Sequence, residues 1–163
     1  MENEQSLRPV DHAALGTNQA LIIGLLIAAF VLDVAWLALA VGLVMAVGTA
    51  IGKPGFWLVY RGLRWLNFVR PQVLQDNDEP HRFAQGLGAG FALLGGGLLL
   101  VGVSVVGWGL VWLVVALAAL NLFGGFCVGC FVYYWLGRLK LPGFSKAPPP
   151  NTLPGTRPTG EVK

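Results

Sequence analysis

The sequence predicts an all-α integral membrane protein: four transmembrane helices in two hairpins, with a cytoplasmic interfacial helix between them. Three observations predict it. Only 12% of the 163 residues are charged, about half the roughly 25% usual in soluble domains. That charge is unevenly placed: Phe83 to Gly137 contains no Asp, Glu, Lys or Arg, and Ala20 to Gly52 contains only Asp33. All eleven basic residues fall in three segments, which four spans would bring to one side.

The first apolar stretch, Ala20–Gly52, would be roughly 50 Å long as one helix, against a hydrocarbon core of about 30 Å. A straight helix would need a tilt of roughly 50°, beyond the usual range. A hairpin turning at Asp33 is therefore expected, with Asp33 capping a second helix over about 34–52. The first helix must then start earlier. Asp11 supplies its cap, and the span runs over about 13–32. The acidic start (Glu2, Glu4, Asp11) and the lack of a small-residue cleavage site argue against a secretory leader, so the whole chain is expected to stay in the membrane.

Next comes GFWLVYRGLRWLNFVRP, residues 55–71. Arg61, Arg64 and Asn67 form a narrow polar face among aromatic residues, and Pro71 ends the run. This pattern predicts an interfacial helix over about 55–70, with arginines toward anionic headgroups. A docking face for a partner is the alternative. The short polar loop that follows holds Asp76, Asp78 and Glu79. Three acids could suggest a metal, but Asp78 and Glu79 also suit the start of the next helix at Pro80, and that capping reading is preferred.

The second apolar stretch is too long for one span. SVVGWG, residues 104–109, offers two glycines and an interfacial tryptophan as a break, giving helices over about 83–104 and 109–136. With four spans, Arg8, the cluster Lys53 to Arg82 and the cluster Arg138 to Lys163 share one face. The positive-inside rule makes that face cytoplasmic, with both termini. The location expected from these runs is a membrane, crossed several times. From Leu141 the tail has six prolines in 23 residues and is expected to be disordered or extended. Gly86 with Gly90, and Gly125 with Gly129, form GxxxG pairs suited to close helix approach, within the bundle or in a homo-oligomer. Gln85 and Asn121 are amides at membrane depth, expected to bond between helices or to line a cavity.

Chemistry concentrates in GGFCVGC, residues 124–130. Cys127 lies about 27 Å along a helix that starts at Gly109, near the cytoplasmic face, where thiols are kept reduced. Three readings stand. In a redox reading, Cys127 is the attacking thiol and Cys130 the resolving one, with Gln85 and Asn121 in support. A continuous helix opposes it, because the helix C-terminus disfavours a thiolate and i,i+3 side chains stand too far apart for an unstrained disulfide. A break at Gly124-Gly125 removes both objections by placing Cys127 at a helix start, before free N–H groups. In a metal reading, Cys127 and Cys130 join His12 and His81, both expected at the same membrane level, although the spacing is no standard zinc pattern. In the third reading the cysteines are small packing residues.

PHRFAQGLG (80–88), LNLFGGFCVGCFVYY (120–134) and RPVDHAALGTNQA (8–20) resemble an uncharacterised bacterial membrane family, domain of unknown function 4395. The resemblance covers most of residues 7–136 and marks Phe83, Ala84, Gln85, Gly125, Phe126, Cys127, Gly129 and Cys130. It implies a small helical inner-membrane protein with a C-x-x-C near the end of its last span, and an association with thioredoxin-like or sulfurtransferase-like proteins.

The leading expectation is thus thiol–disulfide or sulfur-relay chemistry through a cytoplasm-facing C-x-x-C. The rivals are a carrier or channel component for a thiophilic solute or metal ion, and a structural membrane subunit. The expected partners are the lipid bilayer and a thioredoxin-like or sulfurtransferase-like protein. No nucleic-acid partner is expected and no motif calls for a cofactor: there is no nucleotide loop, Ser-His-Asp set or HExxH.

Overall fold

The structure, a computed structural model, describes residues 7–150 and 152–158. Its elements run β1 (Arg8–Asp11), α1 (His12–Val31), α2 (Ala35–Ile51), α3 (Trp57–Trp65), β2 (Val73–Asp76), α4 (Asp78–Leu100), α5 (Ser104–Gly124) and α6 (Val128–Arg138). Three helices, α1, α4 and α5, are long and apolar enough to cross a membrane, and α2 is apolar but shorter.

The helices α1, α2, α4 and α5 close a ring: α4 packs on α2 and α5, and α1 packs on α5 and α2. Small side chains bring the backbones together. A Cβ at Gly42 would meet Leu93 at 3.0 Å, and one at Gly96 would meet Leu39 at 2.7 Å. Ile22, Leu26, Ala38, Val41, Ala92, Val111 and Val114 fill the centre. Phe30, Leu43, Val47, Leu94, Trp112 and Leu120 face outward and exposed, the distribution of a helix bundle whose outer surface is as apolar as its core. Of the two glycines in the first GxxxG pair, only Gly86 meets a neighbour, Thr49; Gly90 faces open space.

Local chemistry explains the hairpins, with corrections to the expected boundaries. Asp11 caps α1, its carboxylate accepting from Ala13 N–H at 3.1 Å. Asp33 does turn the chain, but it does so at φ 51° and caps nothing; the residue before α2 is Val34, without a side-chain cap. The second hairpin turns at Val101–Val103 around Gly102, φ 86°, and not at 104–109. A glycine adopts that left-handed backbone without steric cost, whereas Gly107 sits inside α5, where a Cβ would strike Leu99 of α4. Asp78 and Glu79 do form the first turn of α4, as their favourable interaction with the helix N-terminus predicts.

The interfacial helix is shorter than its pattern: α3 stops at Trp65, and Asn67 turns at φ 57°, so Asn67 leaves the polar face of Arg61 and Arg64. The largest correction concerns the helix expected over 109–136. Its residues belong to two helices. Gly125 ends α5 in the left-handed conformation (φ 63°), and Cys127 precedes α6.

Two strands have no counterpart in the sequence reading. β1 and β2 pair antiparallel with Arg8 opposite Asp76 and Asp11 opposite Val73. This ties the entrances of α1 and α4 together. Within the described residues, the segment after α6 folds back over the helix ends. Phe126 pairs with Thr156 in an isolated bridge, and Arg157 N–H donates to Gly125 C=O at 3.0 Å. β1, α3, β2, α6 and this strap form a polar cap at the end of the ring where α1 and α4 begin.

Candidate functional site

The glycine break decides what the cysteines are. Because α5 ends at Gly124, Cys127 becomes the N-cap of α6, in extended conformation, and its Sγ accepts the Cys130 backbone N–H at 3.2 Å. A free N–H at a helix start favours negative charge on a facing thiol. Cys127 and Cys130 are joined as a disulfide. The helical spacing that would hold two such residues apart does not apply, since Cys127 lies outside the helix. Gly129 lets α6 sit directly on α4: a Cβ there would run into Ala84. The second GxxxG pair is therefore a helix stop at Gly125 followed by a close contact at Gly129.

Behind the sulfurs lies a chain of polar groups from three elements. His81 of α4 points Nδ1 at Cys130 Sγ, 3.5 Å away. Its Nε2 meets Asp76 Oδ2 of β2 at 3.0 Å. The same carboxylate oxygen meets His12 Nε2 of α1 at 3.1 Å, and Asp76 Oδ1 accepts Asn77 N–H at 2.7 Å. The two imidazoles stand edge to face, 5.6 Å between centroids. Burial alone would raise the Asp76 carboxyl, but hydrogen bonds from His12 and His81, the charge of His81 and the Asn77 N–H hold it well below the ordinary carboxylate range. An ionised Asp76 only accepts. Both imidazoles therefore present an N–H to it at Nε2, and a neutral His81 would keep Nδ1 free to accept from a reduced Cys130. This is the Cys–His–acid order in which a base serves a thiol and an acid orients the base.

The cap closes over the pair. Cys127 N–H donates to Gly155 C=O at 2.7 Å. Tyr133, Tyr134 and Phe144 pack beside the sulfurs, and Asn77 Nδ2 donates to Ala147 C=O at 2.9 Å. Burial and the Glu79 carboxylate, which accepts from the Tyr133 hydroxyl at 3.1 Å, push that phenol up to about 12. The cysteines are only 5% and 4% exposed. A polar niche of about 20 Å³ remains, lined by His12, Asp76, His81, Asn121, Thr156 and the two cysteines among others.

The structure thus brings Cys127, Cys130, His12, His81 and Asn121 together. Gln85 stands apart from the sulfurs. Its amide accepts from Asn18 and from Gly55 N–H, and donates to Met45 C=O and Lys53 C=O, which ties α1, α2 and α4. Asp76 was missed by sequence reasoning, which weighed it only as one of three loop acids and gave it no role in the site. Only its pairing to β1, more than sixty residues away in sequence, makes it a buried hub, and no local pattern signals that.

Fold and site together define a small ring of apolar helices that carries a disulfide-forming C-x-x-C at a helix start, backed by a His–Asp–His cluster. The chain belongs to the family described as "Domain of unknown function (DUF4395)", which matches residues 10–138. No curated protein and no solved structure matches it. The family match ends at Arg138, so both cysteines, both histidines and Asp76 lie inside it, and the strap over the cysteines lies outside.

Proposed function

We propose that this chain is a multi-pass inner-membrane protein that exchanges electrons, or sulfur, through Cys127 and Cys130 at the cytoplasmic face. The observation that carries the proposal is the position of Cys127 at the start of α6 with Cys130 against a histidine oriented by a buried acid. Packing alone requires neither. The exchange runs with a dithiol protein of thioredoxin-like class. The partner's thiol gives up its proton and attacks Cys127 Sγ, a mixed disulfide forms, and Cys130 leaves as a thiolate to which His81 Nδ1 relays that proton. The partner's second thiolate then attacks its own sulfur of the mixed disulfide and releases Cys127, whose thiolate the α6 N–H supports. The partner is oxidised and the pair reduced, two electrons passing in all. In the reverse direction Cys127 is the attacking thiol and Cys130 the resolving one. In the sulfur-relay form of the same site, the Cys127 thiolate takes the outer sulfur of a partner protein's persulfide and that partner's thiol leaves.

The membrane setting is part of the proposal. The ring's outward apolar faces favour four spans, α2 being the short one, at about 26 Å. The basic residues of the cap favour a cytoplasmic cap with both termini. Lys53 stands over the Trp57 ring, 4.4 Å from its centroid, which suits α3 to the membrane surface. The decisive measurement is the midpoint of the Cys127–Cys130 pair, obtained by trapping thiols across a graded redox buffer in native membranes. A reversible two-electron transition between roughly −180 and −300 mV is expected. Failure to form a disulfide under strong oxidant would overturn the reading.

One observation favours a second reading. Ligand atoms of His81, Cys127 and Cys130 all lie within 4.8 Å of one another, and Asp76 behind His81 is the usual partner of a metal-bound imidazole. A reduced pair handling a soft metal ion is tested by Co²⁺ titration. Thiolate-to-cobalt absorption that disappears in Cys130→Ser would support it.

A further inference from the structure

The strap over the cysteines is seated as one rung of an antiparallel ladder. Cys127 N–H donates to Gly155 C=O at 2.7 Å, Arg157 N–H donates to Gly125 C=O at 3.0 Å, and Phe126 lies opposite Thr156 between them. Gly155 is fitted to this edge. It stands at φ 85°, and a Cβ there would meet Cys127 C=O at 2.9 Å and Phe131 Cβ at 3.0 Å, so glycine is the residue that takes this backbone without strain. The rest of the strap is shaped by itself. The N–H and Oγ1 of Thr156 both donate to Leu153 C=O, the Leu153 side chain is exposed, and Pro154 and Pro158 have no N–H with which to lengthen the ladder.

Gly155, Thr156 and Arg157 wall the niche at the sulfurs, and both cysteines are buried. A protein that reaches Cys127 from the cap therefore displaces the strap. Once the strap lifts, Cys127 N–H and Gly125 C=O lose their partners together. They flank a single residue, Phe126, so an extended segment of another chain can satisfy both at once, as in recognition by strand addition. This edge lies inside the family match, and the strap that covers it lies outside.

We propose that the Gly125–Cys127 edge is the docking site of the dithiol partner and that the strap is its internal competitor; the inference rests on the thiol reading above and adds how the partner is recognised. The occupant is an extended, glycine-bearing segment of the partner, laid antiparallel to Phe126 with its glycine opposite Cys127. One of its carbonyls takes the Cys127 N–H, and one of its N–H groups serves Gly125 C=O. The partner is thus seated before its sulfur meets Cys127 Sγ. The close approach at Gly155 rejects segments with a side chain at that position.

The test uses the full chain in lipid nanodiscs and a fluorescent heptapeptide, TLPGTRP, the sequence of residues 152–158. Two variants release the strap: Gly155→Val, whose side chain the edge has no room for, and Arg157→Pro, which lacks the N–H given to Gly125. Each should bind the peptide about five- to tenfold more tightly than the wild type, whose own strap competes. The same peptide with valine in place of its glycine should bind neither variant. A reduced thioredoxin should reduce the disulfide of both variants about tenfold faster than that of the wild type, and saturating TLPGTRP should cancel the gain. Absence of peptide binding to both variants overturns the inference alone, as does equal binding to the wild type, or thioredoxin reduction that bound peptide leaves unchanged. A pair that does not cycle in glutathione buffer overturns the thiol reading, and the dithiol partner with it.

Discussion

In the ring of α1, α2, α4 and α5, the contacts are made by residues that do no chemistry. Gly42 meets Leu93, Gly96 meets Leu39, and alanine and valine fill the centre. In the cap, the contacts are polar and non-local: His12 to Asp76, Asp76 to His81, His81 to Cys130, Cys127 to Gly155. The ring's register follows from dispersion between small side chains, which tolerates any residue of the right size. The cap's geometry depends on specific donors and acceptors, each of which leaves another unsatisfied when it is lost. The lesson is a division of labour: the ring sets the level at which α1, α4 and α6 meet, and the cap converts that meeting into a site.

This contrast is breakable. The largest effect should come from Cys127→Ala or Cys130→Ala, each of which abolishes the intramolecular two-electron transition in redox-buffer trapping. Because the ring is untouched, the helical signal and its thermal midpoint should barely move. Large loss of helix on either substitution would mean that ring and cap are not separable.

His81→Ala and Asp76→Asn should slow thiol–disulfide exchange by about 10²-fold, the low end of general acid–base contributions, in stopped-flow assays with a small disulfide. Their midpoints should shift far less than their rates. The sign of the acid response follows from Asp76. Its carboxyl is depressed in the folded protein, so its stabilisation is complete above about pH 4, the unfolded value, and is lost as pH falls below it. Wild-type cap order, read from near-ultraviolet dichroism of Tyr133 and Tyr134, should decline in that acid range, and Asp76→Asn should flatten the decline.

Gly42→Leu makes the reciprocal cut. Forcing α2 from α4 should cost about 1–3 kcal/mol in denaturant unfolding, with the exchange rate of the folded fraction unchanged. A smaller effect is expected from truncation after Lys140. Removing the strap takes Gly155 from Cys127, and alkylation of the reduced cysteines by a water-soluble maleimide should rise about tenfold, the scale of a local opening. An unchanged rate would mean that the strap does not guard the pair.

Apolar runs and turn residues made the ring legible from sequence. Each hairpin is a local event: Asp33 turns the first, and the glycine-rich stretch near Gly102 turns the second, five residues or so from where SVVGWG pointed. That error has a physical cause. Gly107 and Gly109 look like breakers in isolation, but Gly107 is buried inside α5 against Leu99 and the Gly95 carbonyl of α4. The family was legible too, through FAQ and GFCxGC.

The sequence by itself determined the class of fold, the presence of the cysteine pair and the alternatives open to it. It also posed the question that mattered, whether the helix is continuous through Gly124. Periodicity cannot answer that, because a double glycine is compatible with either backbone, and the energy that selects one is non-local. Tertiary structure decided it: the contact of Gly129 with Ala84 and the hydrogen bonds from Cys127 and Arg157 to and from the strap require α6 to turn away. It also decided the role of Asp76, an acid on a four-residue strand. Its partners lie on α1 and α4, so only the pairing of β1 with β2 brings the carboxylate under both histidines.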